Sequence, residues 1–96
     1  MTGLRIDKWL WFARFCKSRS LAQNWIEAGE VLLNGVIVDK CNASVKIGDH
    51  IEMPRGRKLR LTIMVIGLAE RRGSAPEAQT LYQTESCVTE GADFYK

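Results

Sequence analysis

"EAGEVLLNGVIV", residues 27 to 38, is the stretch where the chain changes period. Upstream of it Leu21, Trp25 and Ala28 recur at helical spacing, with Ala22 and Ile26 beside them, which predicts an inward-facing stripe. Gly29 stands where that helix should stop, because glycine takes the left-handed C-terminal conformation at no steric cost. Downstream, two runs rich in β-formers flank Asn34-Gly35. Both residues of that dipeptide tolerate positive φ, as a two-residue hairpin turn requires. A helix therefore gives way to an antiparallel sheet.

Toward the N-terminus, Ser18 is a candidate N-cap for this helix, which then runs from Arg19 to Ala28. A preceding helix starts at "IDKWLW", residues 6 to 11. Asp7 is placed to cap its free amides, and Ile6 and Trp11 occupy the two positions of a hydrophobic staple. It should extend to Phe15 or Cys16, with apolar residues on more than one face, so that both a sheet and the second helix cover it. Toward the C-terminus, "SVKIGDHIEM", residues 44 to 53, has a turn at Gly48-Asp49 and then alternates Ile51 and Met53 with His50 and Glu52. "LRLTIMVI", residues 59 to 66, puts Leu59, Leu61, Ile63 and Val65 on one face.

These elements predict an α+β domain at residues 4–67, with two N-terminal helices packed on a small, mainly antiparallel sheet. Residues 68–96 read as a helical extension and an acidic tail. Ser74 and Glu77 have capping-box spacing, and Ala78, Leu81 and Tyr82 share a helical side. From Glu85 onward the composition is polar and acidic, and the end is expected to fray.

Ninety-six residues leave room for one modest core. The apolar run from Trp9 to Ala13 is too short to cross a bilayer, and no secretory leader follows Met1, which predicts a cytoplasmic protein without a membrane partner. Cys16, Cys41 and Cys87 are odd in number and scattered, a pattern that fits reduced thiols rather than disulfides or zinc. His50 has no second ligand at metal-binding spacing. No nucleophile–base order and no glycine-rich phosphate loop is present, so the expectation is a binding protein without catalytic residues, metal or cofactor.

Charge gives a first indication of the partner, and a small one taken alone. Residues 1–72 carry thirteen Lys and Arg against seven Asp and Glu, whereas residues 73–96 carry one Lys against four acids. A basic body of this kind suits a polyanion. The positive residues concentrate at the corner between the helices: Arg14, Lys17 and Arg19 beside Ser18, with Arg5 and Lys8 behind them. A helix start offers unpaired amides and a positive dipole end, Ser18 another donor, and Arg19 a planar fork for phosphate oxygens. On charge and capping alone, a solvated elbow fits the same residues equally well. Trp9, Trp11 and Trp25 have the spacing of core residues more than of base-stacking platforms, Trp11 being the best exception. Arg55, Arg57 and Lys58 fit either a phosphate track or a guarded sheet edge.

Order and spacing add a more specific signal. Arg5-Ile6-Asp7, Ser18-Arg19, Gly29 to Gly35, and Val45 to Asp49 follow one another as they do in the RNA-binding domain named for ribosomal small-subunit protein four, the alpha-L motif. The chain resembles that family over residues 4 to 66. "DKWLWFARFCKSRSLA" (7–22) and "RRGSAPEAQTLY" (71–82) are further similar to bacterial ribosome-associated heat-shock proteins of the type called fifteen. The resemblance implies binding to ribosomal RNA on free large ribosomal subunits that still carry a nascent chain on tRNA. It also implies recycling of such subunits after heat stress, general RNA and DNA affinity, and RNA contacts at Asn34 and Lys40. The chain departs from the pattern at Lys40-Cys41-Asn42, where many relatives have Lys-Pro-Ser, at Leu33 for valine, and in its acidic end.

Two other readings compete. A DNA-binding helix-turn-helix would use Gln23 and Asn24 on its second helix. A protein-interaction module would dock through Leu81 and Tyr82. A monomer is the expected state.

Overall fold

Ile6 and Asp7 enter the first helix without a capping side chain. A short strand β1 (Leu4–Arg5) pairs antiparallel with β4 (Ser44–Val45), and this draws the 41–43 loop over the helix start. The amide of Ile6 donates to the Ala43 carbonyl at 2.8 Å, and that of Asp7 to the Cys41 carbonyl at 3.5 Å. The capping role expected of Asp7 is therefore shared: the distant loop takes the first two amides, and the Asp7 side chain accepts that of Lys8 at 2.8 Å. Helix α1 (Ile6–Phe12) takes Arg5 as its N-cap, and Asp7 lies inside the first turn. The computed structural model describes residues 3–54 and 59–89. The Arg55, Arg57 and Lys58 loop and residues 90–96 of the expected tail lie outside the described residues.

Helix α1 ends three residues before Phe15 because Arg14 turns left-handed, at φ 66°. The amide of Phe15 donates to the Leu10 carbonyl at 3.0 Å and that of Arg14 to the Trp11 carbonyl at 3.1 Å, the paired bonds of a Schellman cap. Helix α2 (Arg19–Glu27) ends in the same way through Gly29 at φ 75°, as its glycine predicts. Glu30 there donates to the Trp25 carbonyl and Gly29 to that of Ile26, each at 3.0 Å. Arginine in place of glycine hides the first cap from sequence reading. The α2 stripe is centred on Ala22 and Ile26, both fully buried, while Leu21 and Trp25 are half-buried and Ala28 is exposed.

A five-stranded antiparallel sheet follows, in the order β3-β2-β5-β6-β7. Strands β2 (Leu32–Leu33) and β3 (Val36–Ile37) are joined by Asn34 and Gly35, at φ 53° and 85°, the two-residue hairpin expected there. Strand β5 (His50–Pro54) pairs with β2 and with β6 (Leu59–Val65). Ile51, Met53, Leu61, Ile63 and Val65 alternate inward. They form one core with Ile6, Trp9, Leu10, Ala22 and Ile26 of the helices, so the α+β class and its two-helix layer stand.

The C-terminal part differs from expectation. Ser74 and Glu77 form the capping box at the head of α3 (Ala75–Ala78), but the helix lasts one turn and passes through a 3-10 turn, Gln79–Leu81. Tyr82–Thr89 is then strand β7, paired with β6 from Val65↔Tyr82 to Leu59↔Thr89, where a frayed acidic end was expected from Glu85. The polar pattern of 83–87 belongs to an edge strand whose side chains face solvent. Its stabilising hydrogen bonds come from the β6 backbone, which leaves no mark in side-chain composition. Leu81 is buried, and half-buried Tyr82 packs tilted against Phe15, ring centroids 4.5 Å apart at 53°. Leu81 belongs to the core and Tyr82 packs against it, so the two do not form an exposed pair.

Candidate nucleic-acid interface

One buried carboxylate organises the basic corner. Asp7 is fully buried, yet its oxygens meet cations from two separate segments. Arg5 donates from Nε to Oδ1 at 3.1 Å and from Nη2 to Oδ2 at 3.0 Å. Arg19 donates from Nε to Oδ2 at 3.3 Å. Gln23, one turn along α2 from Arg19, donates its amide to Oδ2 at 3.0 Å, and the backbone amide of Lys8 donates to Oδ1 at 2.8 Å. Burial on its own would raise the Asp7 pKa. The hydrogen bonds from Gln23, Arg5 and Arg19, with the charge of Arg19, outweigh it and hold the carboxyl below its ordinary value.

The cations at this corner are thus partly compensated. Two guanidinium groups share a single carboxylate, which leaves the cluster positive. Each guanidinium has five donor hydrogens. Arg5 spends two on Asp7 and Arg19 one, and their side chains stay 42% and 35% exposed. Among the described residues the remaining N–H groups meet no acceptor, so they can meet an anion. Ser18 caps α2 as expected, its Oγ accepting from the Leu21 amide at 3.1 Å. The hydroxyl hydrogen and the first amides of α2 remain for a ligand or water.

The remaining site residues divide by position. Lys8 is half-buried beside Asp7 in α1, and Lys40 is exposed in the loop whose Cys41 carbonyl meets the Asp7 amide. Arg5 and Arg19 therefore meet at the head of α1, with Lys8 in its first turn and Lys40 next to the residue whose carbonyl meets the Asp7 amide. Arg14 and Lys17 are exposed at its other end, in the corner loop rather than along a helical edge. A seven-residue helix is roughly 10 Å long, a span that neighbouring backbone phosphates can bridge. Asn34 lies elsewhere, on the β2–β3 turn. Its Nδ2 donates to Asp49 Oδ1 at 3.2 Å, and its Oδ1 accepts from the His50 amide at 2.9 Å. Asp49 in turn accepts from the Lys46 amide at 2.8 Å, the turn chemistry expected of it.

Sequence reading missed Arg72, and it named Gln23 only for a helix-turn-helix and not as a partner of Asp7. Arg72 lies 5.9 Å from the Trp11 ring centroid and donates from Nε to the Trp11 carbonyl at 3.1 Å, while Arg14 Nε donates to the Gly73 carbonyl at 2.8 Å. The segment after β6 is in this way tied to the end of α1, adding a cation where Arg14 and Lys17 already stand. No spacing rule links residues sixty positions apart. Gln23 did have a signal, since it lies at i+4 from Arg19 and shares its face. Its amide is spent on Asp7, which removes it from the recognition surface a helix-turn-helix would need. Trp9 is fully buried and donates from Nε1 to the Gly67 carbonyl at 3.0 Å, a core role. Trp11 is half-buried.

Comparison with known proteins agrees with this architecture. The S4 domain family matches residues 4–51. A heat shock protein 15 homolog of Aeromonas salmonicida is 43% identical over 93 residues, covering 96% of this chain and 69% of that protein. The chain belongs to the S4 domain family, in its heat shock protein 15 group. This is an RNA-binding, non-enzymatic family. The heat shock protein 15 homolog of Haemophilus influenzae is 44% identical over 86 residues, covering 88% of this chain and 64% of its own length. The chain thus spans somewhat less than two thirds of that S4-domain relative. The RQC P-site tRNA stabilizing factor of Halalkalibacterium halodurans is 34% identical over 82 residues, covering 85% of this chain and 90% of that one. A solved trimeric structure of Vibrio cholerae Heat Shock Protein 15 superposes with a TM-score of 0.81 at 44% identity, covering 88% of this chain and 83% of that one. That trimer conflicts with the expectation of a monomer. Among the described residues no helix is long and apolar enough to cross a membrane.

Proposed function

We propose that this S4-domain protein binds structured ribosomal RNA through the phosphates that line the two ends of α1 and the start of α2. Arg5, Lys8, Arg14, Lys17, Ser18, Arg19 and Lys40 make the contacts. Asn34 serves them from a distance by holding the β2–β3 turn. The observation that carries this reading is the meeting of Arg5 and Arg19 at one buried carboxylate with most of their donors unspent. Recognition is of backbone and shape, because helices this short cannot read bases in the deep, narrow major groove of RNA. DNA remains a weaker ligand of the same phosphate-directed surface.

By kinship with heat shock protein 15 and with a P-site tRNA stabilizing factor, the target is the free large ribosomal subunit with a stalled nascent chain on tRNA. The role is recycling of that subunit after heat stress, in the cytoplasm. If about five phosphates are neutralised, the log–log salt slope lies near −3 to −5. Filter binding to large-subunit ribosomal RNA across salt measures it, and a slope near zero refutes the electrostatic reading. Substituting Arg14 and Arg19 with Ala weakens binding while the fold is kept; unchanged affinity puts the RNA on another face. Sedimentation with separated ribosomal subunits at two salt concentrations tests the target.

A further inference from the structure

We propose that Asp7 is a positioning residue for RNA binding, a buried carboxylate that locks the Arg5 and Arg19 forks with their free edges toward phosphate. The inference rests on the RNA-binding reading above and adds how the site is prepared. Arg5 sits at the junction of β1 and α1, and Arg19 is the first residue of α2. Asp7 is the acceptor both share, and its oxygens are filled by the two arginines, Gln23 and the Lys8 amide. The carboxylate itself is fully buried with both oxygens occupied, so it faces the arginines and not a ligand. A free arginine must freeze several rotatable bonds when it grips phosphate, whereas one already fixed at Nε has spent that entropy in folding.

The proposal separates cleanly from simple charge. An acid beside an RNA site is electrostatically adverse, so charge alone predicts that removing it tightens binding. Positioning predicts the opposite sign. The test uses the full chain and large-subunit ribosomal RNA, with affinity measured by filter binding over a salt series. Arg5→Lys and Arg19→Lys keep the charge and lose the fork. Each should weaken binding by roughly five- to tenfold with an unchanged salt slope. Asp7→Asn should weaken it by about tenfold despite the added net positive charge. Lysine variants that bind like the wild type overturn the proposal, as does a folded Asp7→Asn protein that binds more tightly.

Circular dichroism melts establish which variants fold. If Asp7→Asn does not, the two lysine variants decide alone, because their side chains are substantially exposed. Failure of the parent reading looks different. There the wild type shows no salt-dependent binding, or the alanine substitutions at Arg14 and Arg19 leave affinity intact. Loss of binding with alanine but not with lysine keeps the interface and removes only the positioning role of Asp7.

Discussion

Asn34 is the site residue on which structure and sequence make the sharpest contrast, and substituting it tests both. Its φ of 53° is one that alanine disfavours, and the exchange costs about 0.5–1 kcal/mol for that reason alone. Asn34→Ala also removes the bond accepted from the His50 amide, worth about 1 kcal/mol, and the bond donated to the Asp49 carboxylate, worth about 1.5 kcal/mol. Asp49 is mostly buried and keeps the Lys46 amide as a partner. The sum is roughly 3 kcal/mol, which for a domain of this size lowers Tm by about 12–24 °C. Asn34→Gly recovers the φ part, so it should lie about 1 kcal/mol above Asn34→Ala. Asn34→Asp keeps the bond from the His50 amide but loses its donor to Asp49 and faces that carboxylate with a like charge, so it should lie below Asn34→Gly. Urea titrations at pH 7 measure all three. RNA affinity of the folded variants should stay near that of the wild type. A loss for Asn34→Ala below about 0.5 kcal/mol refutes the clamp. So does RNA binding that falls while stability holds.

Two further outcomes follow from the buried groups. The folded Asp7 carboxyl titrates below its ordinary value of 3.8, so its stabilising contribution is fully present above that value and is lost as pH falls through the depressed one. Circular dichroism followed from about pH 6 to pH 2 should show acid unfolding in that lower window. The Asp7→Asn protein should be less stable at neutral pH and flatter across the window; matching curves would remove Asp7 as a source of acid sensitivity. The three cysteines should differ in reactivity toward a thiol reagent at mildly alkaline pH. Cys87 is exposed and reacts first. Cys41 is slower, its pKa raised by burial and by the charges of Asp7 and Glu27 against the opposing Arg5 and Arg19. Cys16, pushed up to about 12 by burial, reacts only on unfolding. Equal rates for all three contradict that order.

Much of the fold could be read along the chain because its signals are local. Asn34-Gly35 needs no partner to demand a hairpin, Gly29 none to end α2, and Ser74 with Glu77 none to start α3. The alternation of Ile51, Met53, Leu61, Ile63 and Val65 states which face of the sheet is buried. The end of α1 escaped because Arg14 does a glycine's work there, and the apolar run past it stays buried for tertiary reasons. The candidate cations could be named one by one, but their sequence positions did not say which of them share an acceptor.

The amino-acid order by itself settled the types of the main elements between α1 and β6 and the two-helix layer with its antiparallel sheet, and it placed a cluster of cations at the corner between the helices. Periodicity, turn chemistry and capping act over a few residues, so they are written where they act. Tertiary structure alone decided that Asp7 gathers Arg5 and Arg19 besides accepting the Lys8 amide, that Arg72 and Gly73 fold back onto α1, and that Tyr82–Thr89 is a strand. Each of these depends on a backbone or side chain from another segment. Pairing across such distances is chosen by how the whole chain packs, and local composition does not record it.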